Sequence, residues 1–285
     1  MNQGNNTRAN MKFVFFGSSE FSVYILDELK LHNLVPDLII TTPDKPKGRK
    51  LILTPTPVKV WGQKNNIEVL DPASLKNNPD LISKLKSNNY GLFLVASYGK
   101  IIPKEIFEIP KHKTLNIHPS LLPKYRGASP IQAQILNDEK EVGATIMEIV
   151  EEMDAGPIVA QKKVGSEIIV TSRIELEKTL AVGGAQLFAK ILPDWLSEKI
   201  EAKKQEESQV TFCKKIEKTD GEIDLSGDAY ENYLKIKAYE GWPGTFFFKD
   251  GKRIKITQAE FKNGELKILK IIPEGKKEML FSSPS

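Results

Sequence analysis

The chain has 285 residues, 40% of them hydrophobic and 27% charged, with a formal net charge of +4 at pH 7. That length allows one large domain or two smaller ones with a sizeable core, and the charge is too small for a general nucleic-acid coat. One cysteine, Cys213, excludes an intrachain disulfide framework, and no apolar run approaches transmembrane length, so a cytoplasmic protein is expected.

The first ten residues, MNQGNNTRAN, are polar and read as a disordered leader before Met11. KFVFFG then predicts a buried strand and EFSVYILDELK a helix with apolar residues at helical spacing. VPDLIIT and IEVL read as strands with the short helix VKVWGQKNN between them. NPDLISKLKSNN is helical and GLFLVAS a fully apolar strand. TLNIH follows as a strand, then a helix from Ser129 to Asn137, the strands VGATIMEIV and PIVAQKKV, and a helix from Ser172 to about Lys190. The Gly183-Gly184 pair weakens that last helix locally. Strands alternating with helices imply βαβ units, so the fold class is α/β, a Rossmann-like, mainly parallel sheet with flanking helices. FFGSSEF sits where a Rossmann fold binds a dinucleotide, but it has one glycine and no G-x-G-x-x-G.

SEKIEAKKQEESQ has no apolar periodicity and reads as a helix end followed by a solvated linker. Beyond it the texture changes to one helix, DAYENYLKIKAYE, and short strands separated by Asp250-Gly251 and Asn263-Gly264, both hairpin signals. The expected layout is a larger α/β domain over 11–201, a linker over 202–209, and a small, mostly β domain over 210–285. The basic part of that domain, Lys249 to Lys277, holds nine Lys/Arg against four acids.

Chemistry concentrates around TLNIHPSLLPKYRGASPIQ. In a strand with period-two side chains, Leu115 and Ile117 face one side while Asn116 and His118 face the other, and Pro119 stops ladder pairing. The amide and imidazole then project together from the carboxyl end of a strand, where open α/β sheets bind ligands. A lone strand-end histidine is commonly a hydrogen-bonded structural residue; Asn116 on the same face is what distinguishes this one. Asp154 lies between two apolar strands, either as a turn-former or as an acid that reaches His118. Amide, histidine and carboxylate suit a reaction that develops an oxyanion and moves a proton, as acyl transfer to an amine does. No His or Cys spacing predicts a metal site, and Cys213 has no placed base to make it a nucleophile.

LNIHPSLLPKYRGASPIQAQIL together with GATIMEIVEEMDAGPIVAQ resembles the folate-dependent formyltransferases, and the resemblance runs from Met11 to about Leu280. TTPDKPKGRKLILTPTPVKVW, VASYGKIIPK and AYEGWPGTFF resemble, more narrowly, the branch that formylates methionyl-tRNA. The resemblance implies Asn116, His118 and Asp154 as the catalytic trio. It also implies Ser120, Leu121, Leu122 and Pro123 as a folate-binding turn, and Val95, Ala96, Ser97, Tyr98 and Gly99 as the pterin-side strand. The donor it implies is 10-formyltetrahydrofolate with no metal, and the acceptor is the methionine of initiator methionyl-tRNA, with the protein a monomer. The segment Lys45 to Lys64 has six basic residues and no acid. By itself it reads as a solvated surface loop; the resemblance makes it the loop that meets the acceptor end of the tRNA through Lys45, Lys47, Arg49 and Lys50. A cut after Gln209 is expected to weaken tRNA binding and spare the folate site. The resemblance makes 11–201 the catalytic domain and 210–285 a small C-terminal OB-like β-barrel domain. GSSEF departs from the family's G-T-P-x-F, that small domain is shorter than the family's barrel, and MLFSSPS lacks the usual ending. The alternatives are a sugar-nucleotide N-formyltransferase with the same donor, and a catalytically idle RNA-binding protein on the same fold.

Overall fold

The computed structural model describes residues 11–48, 50–164 and 172–281; the leader expected over 1–10 and the predicted tRNA contact Arg49 lie outside the described residues. The first part of the chain contains β1 (Phe13–Gly17), α1 (Glu20–Leu31), β2 (Leu38–Ile40), β3 (Lys45–Lys47), β4 (Ile52–Thr54), α2 (Pro57–Lys64), β5 (Glu68–Leu70) and α3 (Pro79–Ser87). It continues with β6 (Leu92–Ala96), α4 (Lys104–Phe107), β7 (Thr114–His118), β8 (Arg126–Gly127), α5 (Pro130–Leu136), β9 (Gly143–Glu148), β10 (Ile158–Lys163) and α6 (Arg173–Leu196). Then come β11 (Phe212–Cys213), α7 (Ala229–Ala238), β12 (Phe246–Lys249), β13 (Lys252–Lys262), β14 (Glu265–Pro273) and β15 (Met279–Leu280).

Seven strands form the central sheet in the order β10-β9-β7-β6-β1-β2-β5, and β9 alone runs against the others. Period-two alternation divides the core between the two faces of the sheet. Phe13, Phe15, Leu92, Leu94, Leu115 and Ile117 pack with α1 and α6. Val14, Phe16, Phe93 and Val95 pack on the other side. Each such apolar side chain, fully buried, stabilises the fold by roughly 1.5–3 kcal/mol. The FFGSSEF turn joins the ends of two strands: the Ser18 N–H donates to the Ser97 carbonyl at 3.2 Å, and Ser22 Oγ to the Ala96 carbonyl at 2.6 Å.

The Gly183-Gly184 pair does not weaken α6, which runs unbroken from Arg173 to Leu196 behind its Ser172 cap. A β-carbon on Gly184 would stand 2.5 Å from the Ile117 side chain, and one on Gly183 2.7 Å from Val164. Gly184 is where the helix lies down on β7, from the face opposite Asn116 and His118, and Gly183 is where it meets the chain just past β10. Close approach outweighs the propensity cost of about 1 kcal/mol per glycine.

The charged segment after α6 is not a free solvated run. Ile158 and Lys203 exchange backbone hydrogen bonds of 2.7 and 2.8 Å, which lays the segment along β10 and buries Gln205. Beyond it, β12-β13-β14-β15 make an antiparallel sheet around Phe247, Ile254, Ile256, Ile268 and Ile271, with α7 against it. Asp250 and Asn263 turn with φ of 51° and 54°, as the two hairpin signals require. Among the described residues no pairing joins β15 to β12, so this sheet is open.

Candidate active site

Asn116 and His118 leave β7 on the face away from Leu115 and Ile117, beside Val95, which pairs with Asn116 across β6 and β7. His118 is only 4% exposed. Its Nε2 lies 3.0 Å from the Tyr125 carbonyl. A carbonyl can only accept, so Nε2 carries a hydrogen. Nδ1 stands 3.6 Å from Asp154 Oδ1. Both ring nitrogens therefore face acceptors. The Asn116 amide makes no hydrogen bond among the described residues, which leaves its N–H groups available to a ligand.

Asp154 does not close its own turn. With φ of 53° it points its carboxylate across the chain, where Oδ2 accepts the Gly127 N–H at 2.8 Å. Gly127 itself has φ of +120°, and a β-carbon there would stand 2.3 Å from the Cys213 carbonyl. Gly127→Ala is therefore expected to push β8 and β11 apart and cost about 1–3 kcal/mol. Thermal unfolding tests this: an alanine variant with wild-type Tm would mean the approach is not tight. Burial pushes the Cys213 thiol up, and its Sγ donates to the Arg126 carbonyl at 3.3 Å. It serves as a packing group here.

The turn Ser120 to Pro123 follows His118 directly and is fixed to β9 and β10. Thr145 Oγ1 donates to the Ser120 carbonyl at 2.6 Å and accepts the Leu122 N–H at 3.1 Å. Gln161 Nε2 donates to the Leu122 carbonyl at 2.7 Å. Ser120 and Leu122 are buried, and Ser120 Oγ donates to the Lys124 carbonyl at 2.7 Å, so Leu121 and Pro123 carry the turn's accessible side-chain surface. Val95, Ala96 and Tyr98 are buried at the end of β6, while Ser97 and Gly99 are exposed. The Tyr98 hydroxyl has no hydrogen-bond partner, and burial pushes it up to about 12.

The basic segment expected as a loop is a hairpin, β3 paired with β4, continued by α2. It follows β2 as the Ser120 turn follows β7, and parallel strands present such connections at one sheet edge. Lys45, Lys47 and Lys50 are exposed on it, together with Leu51, Ile52 and Leu53. Lys59, one of the six basic residues of the segment, bridges Asp44 and Asp71, at 2.8 Å each, and fastens the hairpin's base. Tyr125 and Arg126 lie within the TLNIHPSLLPKYRGASPIQ stretch but were given no role by sequence, and Gln205 had no signal in the pattern of the chain. Among the described residues, no group of three His, Cys, Asp or Glu side chains could hold a metal, and no helix is long and apolar enough to cross a membrane.

The sheet, with an amide, a histidine and a carboxylate gathered at its edge, defines a formyl-transfer class of protein when set beside known sequences. The chain matches the Formyl transferase family over residues 11–192 and the Formyl transferase C-terminal domain over 215–267, so it belongs to the formyl transferase family. The methionyl-tRNA formyltransferase of Sulfurihydrogenibium sp. (strain YO3AOP1) is 40% identical over 271 residues, covering 94% of this chain and 86% of that protein. Solved structures share the fold at lower identity. The methionyl-tRNA formyltransferase from Clostridium thermocellum superposes with a TM-score of 0.59 at 19% identity, covering 96% of this chain and all (100%) of that one. An N-formyltransferase from Helicobacter canadensis, solved with folinic acid and dTDP-3-aminofucose, gives 0.64 at 20% identity over 89% of each chain.

Proposed function

We propose that this protein transfers the formyl group of 10-formyltetrahydrofolate to the α-amine of methionine carried by initiator tRNA. The amine attacks the formyl carbon, a tetrahedral oxyanion forms, and the bond to the folate nitrogen breaks. The amine gives up a proton and the departing nitrogen gains one. Asn116 supplies N–H donors to the oxyanion, the imidazolium of His118 supplies positive charge and the proton, and Asp154 keeps that ring charged. The observation that carries this reading is the unpartnered Asn116 amide beside a histidine whose two nitrogens both face acceptors. The Ser120–Pro123 turn and the Val95–Gly99 strand end are the proposed folate contacts, and the domain division at 202–209 is proposed with them.

For the acceptor, the exposed Lys45, Lys47 and Lys50 of the hairpin meet tRNA phosphates, with Arg49 beside them in sequence. Replacing Lys45 and Lys47 by alanine is expected to raise KM for Met-tRNA and to flatten its salt dependence by about 0.7–0.9 log units per lost phosphate contact. KM for the folate stays near wild type. Offering the protein 10-formyltetrahydrofolate with either Met-tRNA or an amino-sugar nucleotide decides between acceptors directly. Formyl transfer to the sugar nucleotide alone would overturn the tRNA reading.

A further inference from the structure

We infer that Gln205, in the charged segment after α6, is a positioning residue that holds Asp154 against His118. The inference rests on the proposed roles of those two residues. The Gln205 side chain is buried, and three of its hydrogen bonds are defined. Nε2 donates to the carbonyls of Asp154 at 2.7 Å and Gly156 at 2.8 Å, the two ends of the turn that carries the acid. Oε1 accepts from Arg126 Nε at 3.0 Å. Both donors of the amide are thus used on the Asp154 turn, and its acceptor on a guanidinium.

Arg126 is fully buried and reaches outward to Glu207, 2.8 Å from its Nη2. Its own neighbours in sequence are the groups that hold the site. Tyr125 provides the carbonyl on His118 Nε2, and Gly127 the N–H on Asp154 Oδ2. The contacts therefore close a ring: His118 to Asp154, through its turn to Gln205, to Arg126, and back along the chain to both partners of the pair. Asp154 sits in the left-handed region, a conformation that persists in a non-glycine residue where surrounding contacts hold it. Its carboxylate accepts one backbone N–H and faces the ring at 3.6 Å, a separation that small shifts of the turn would lengthen. Gln205 pins that turn from behind.

Gln205→Glu is the sharper variant. It keeps an acceptor for Arg126, so the buried guanidinium stays paired, but it removes both N–H donors and turns an oxygen toward two carbonyls. Gln205→Met keeps the volume and removes every hydrogen bond. In the full-length protein each is expected to lower kcat roughly ten- to hundredfold, as small misplacements of catalytic groups do, with KM for folate and tRNA little changed. The readout that separates positioning from general support is a double-mutant cycle on kcat with Asp154→Asn. If Gln205 acts through Asp154, adding Gln205→Glu to Asp154→Asn lowers kcat little further. An equal loss on both backgrounds, or wild-type kcat in the Gln205→Glu single variant, overturns the inference. Should Gln205→Met not fold, the Glu variant carries the cycle alone. Wild-type turnover in Asp154→Asn would instead remove the catalytic reading on which the inference stands.

Discussion

Replacing Asn116 or His118 by alanine is expected to lower kcat by on the order of a hundredfold or more, the loss that follows removal of one oxyanion donor. The two variants differ in what else they disturb. The Asn116 side chain has no hydrogen-bond partner among the described residues, so its truncation leaves no protein group unpaired. Its Tm should stay near wild type, and any loss of turnover then belongs to the reaction. His118→Ala takes the Nε2 donor from the Tyr125 carbonyl. A buried acceptor left without its partner costs about 1–3 kcal/mol, a fraction of the roughly 5–15 kcal/mol that holds an ordinary domain together. Cys213 Sγ stands 3.6 Å from that carbonyl, but its one S–H lies nearer the Arg126 carbonyl, at 3.3 Å, and does not replace the imidazole donor. The His118 variant should fold with a lowered Tm and a collapsed kcat. Steady-state kinetics beside thermal unfolding checks both; near wild-type kcat in either would take that residue out of the reaction.

How far the site was legible in the chain depended on whether a residue's role followed from local repetition. Asn116 and His118 share a face because a strand alternates every second residue, and TLNIH shows that alternation without help. The Asp250-Gly251 and Asn263-Gly264 turns were equally local. Asp154 was legible from the pattern as a turn-former or an acid able to reach His118, and the resemblance favoured the acid, but its bond to the Gly127 N–H, 27 residues away, was not. Gln205 was hidden altogether. It lies in a run of charged residues with no periodicity, and its partners are 51 and 79 residues distant. The hairpin of β3 and β4 escaped because its strands are three residues long and one contains Pro46. The cut after Gln209 looked harmless to the folate site for a related reason. In the structure the Tyr125 N–H donates to Thr211 Oγ1 at 2.8 Å, and β11 pairs with β8. Removing those residues would loosen the carbonyl that holds His118.

Asp154→Asn is expected to lower kcat by roughly 10²–10⁴-fold, the range seen where a carboxylate that orients and charges a histidine becomes an amide. The substitution is close to a pure removal of charge. Asparagine tolerates the left-handed φ of 53° at this position, so the turn need not rearrange. Its oxygen can still accept the Gly127 N–H that now reaches Oδ2 at 2.8 Å. The change falls on the side facing His118. There the amide presents an N–H₂ group to Nδ1, which then serves as an acceptor and keeps the ring in its neutral, Nε2-protonated form. A neutral ring offers neither the positive charge for the oxyanion nor the proton for the departing folate nitrogen. Tm should therefore change little while kcat falls steeply, and the pH dependence of kcat should change with it. The cavity-free, isosteric nature of the swap makes the opposite result equally informative. An Asp154→Asn variant with unchanged rate and unchanged pH profile would mean the carboxylate only ties β8 to the turn, through a hydrogen bond that the amide makes as well.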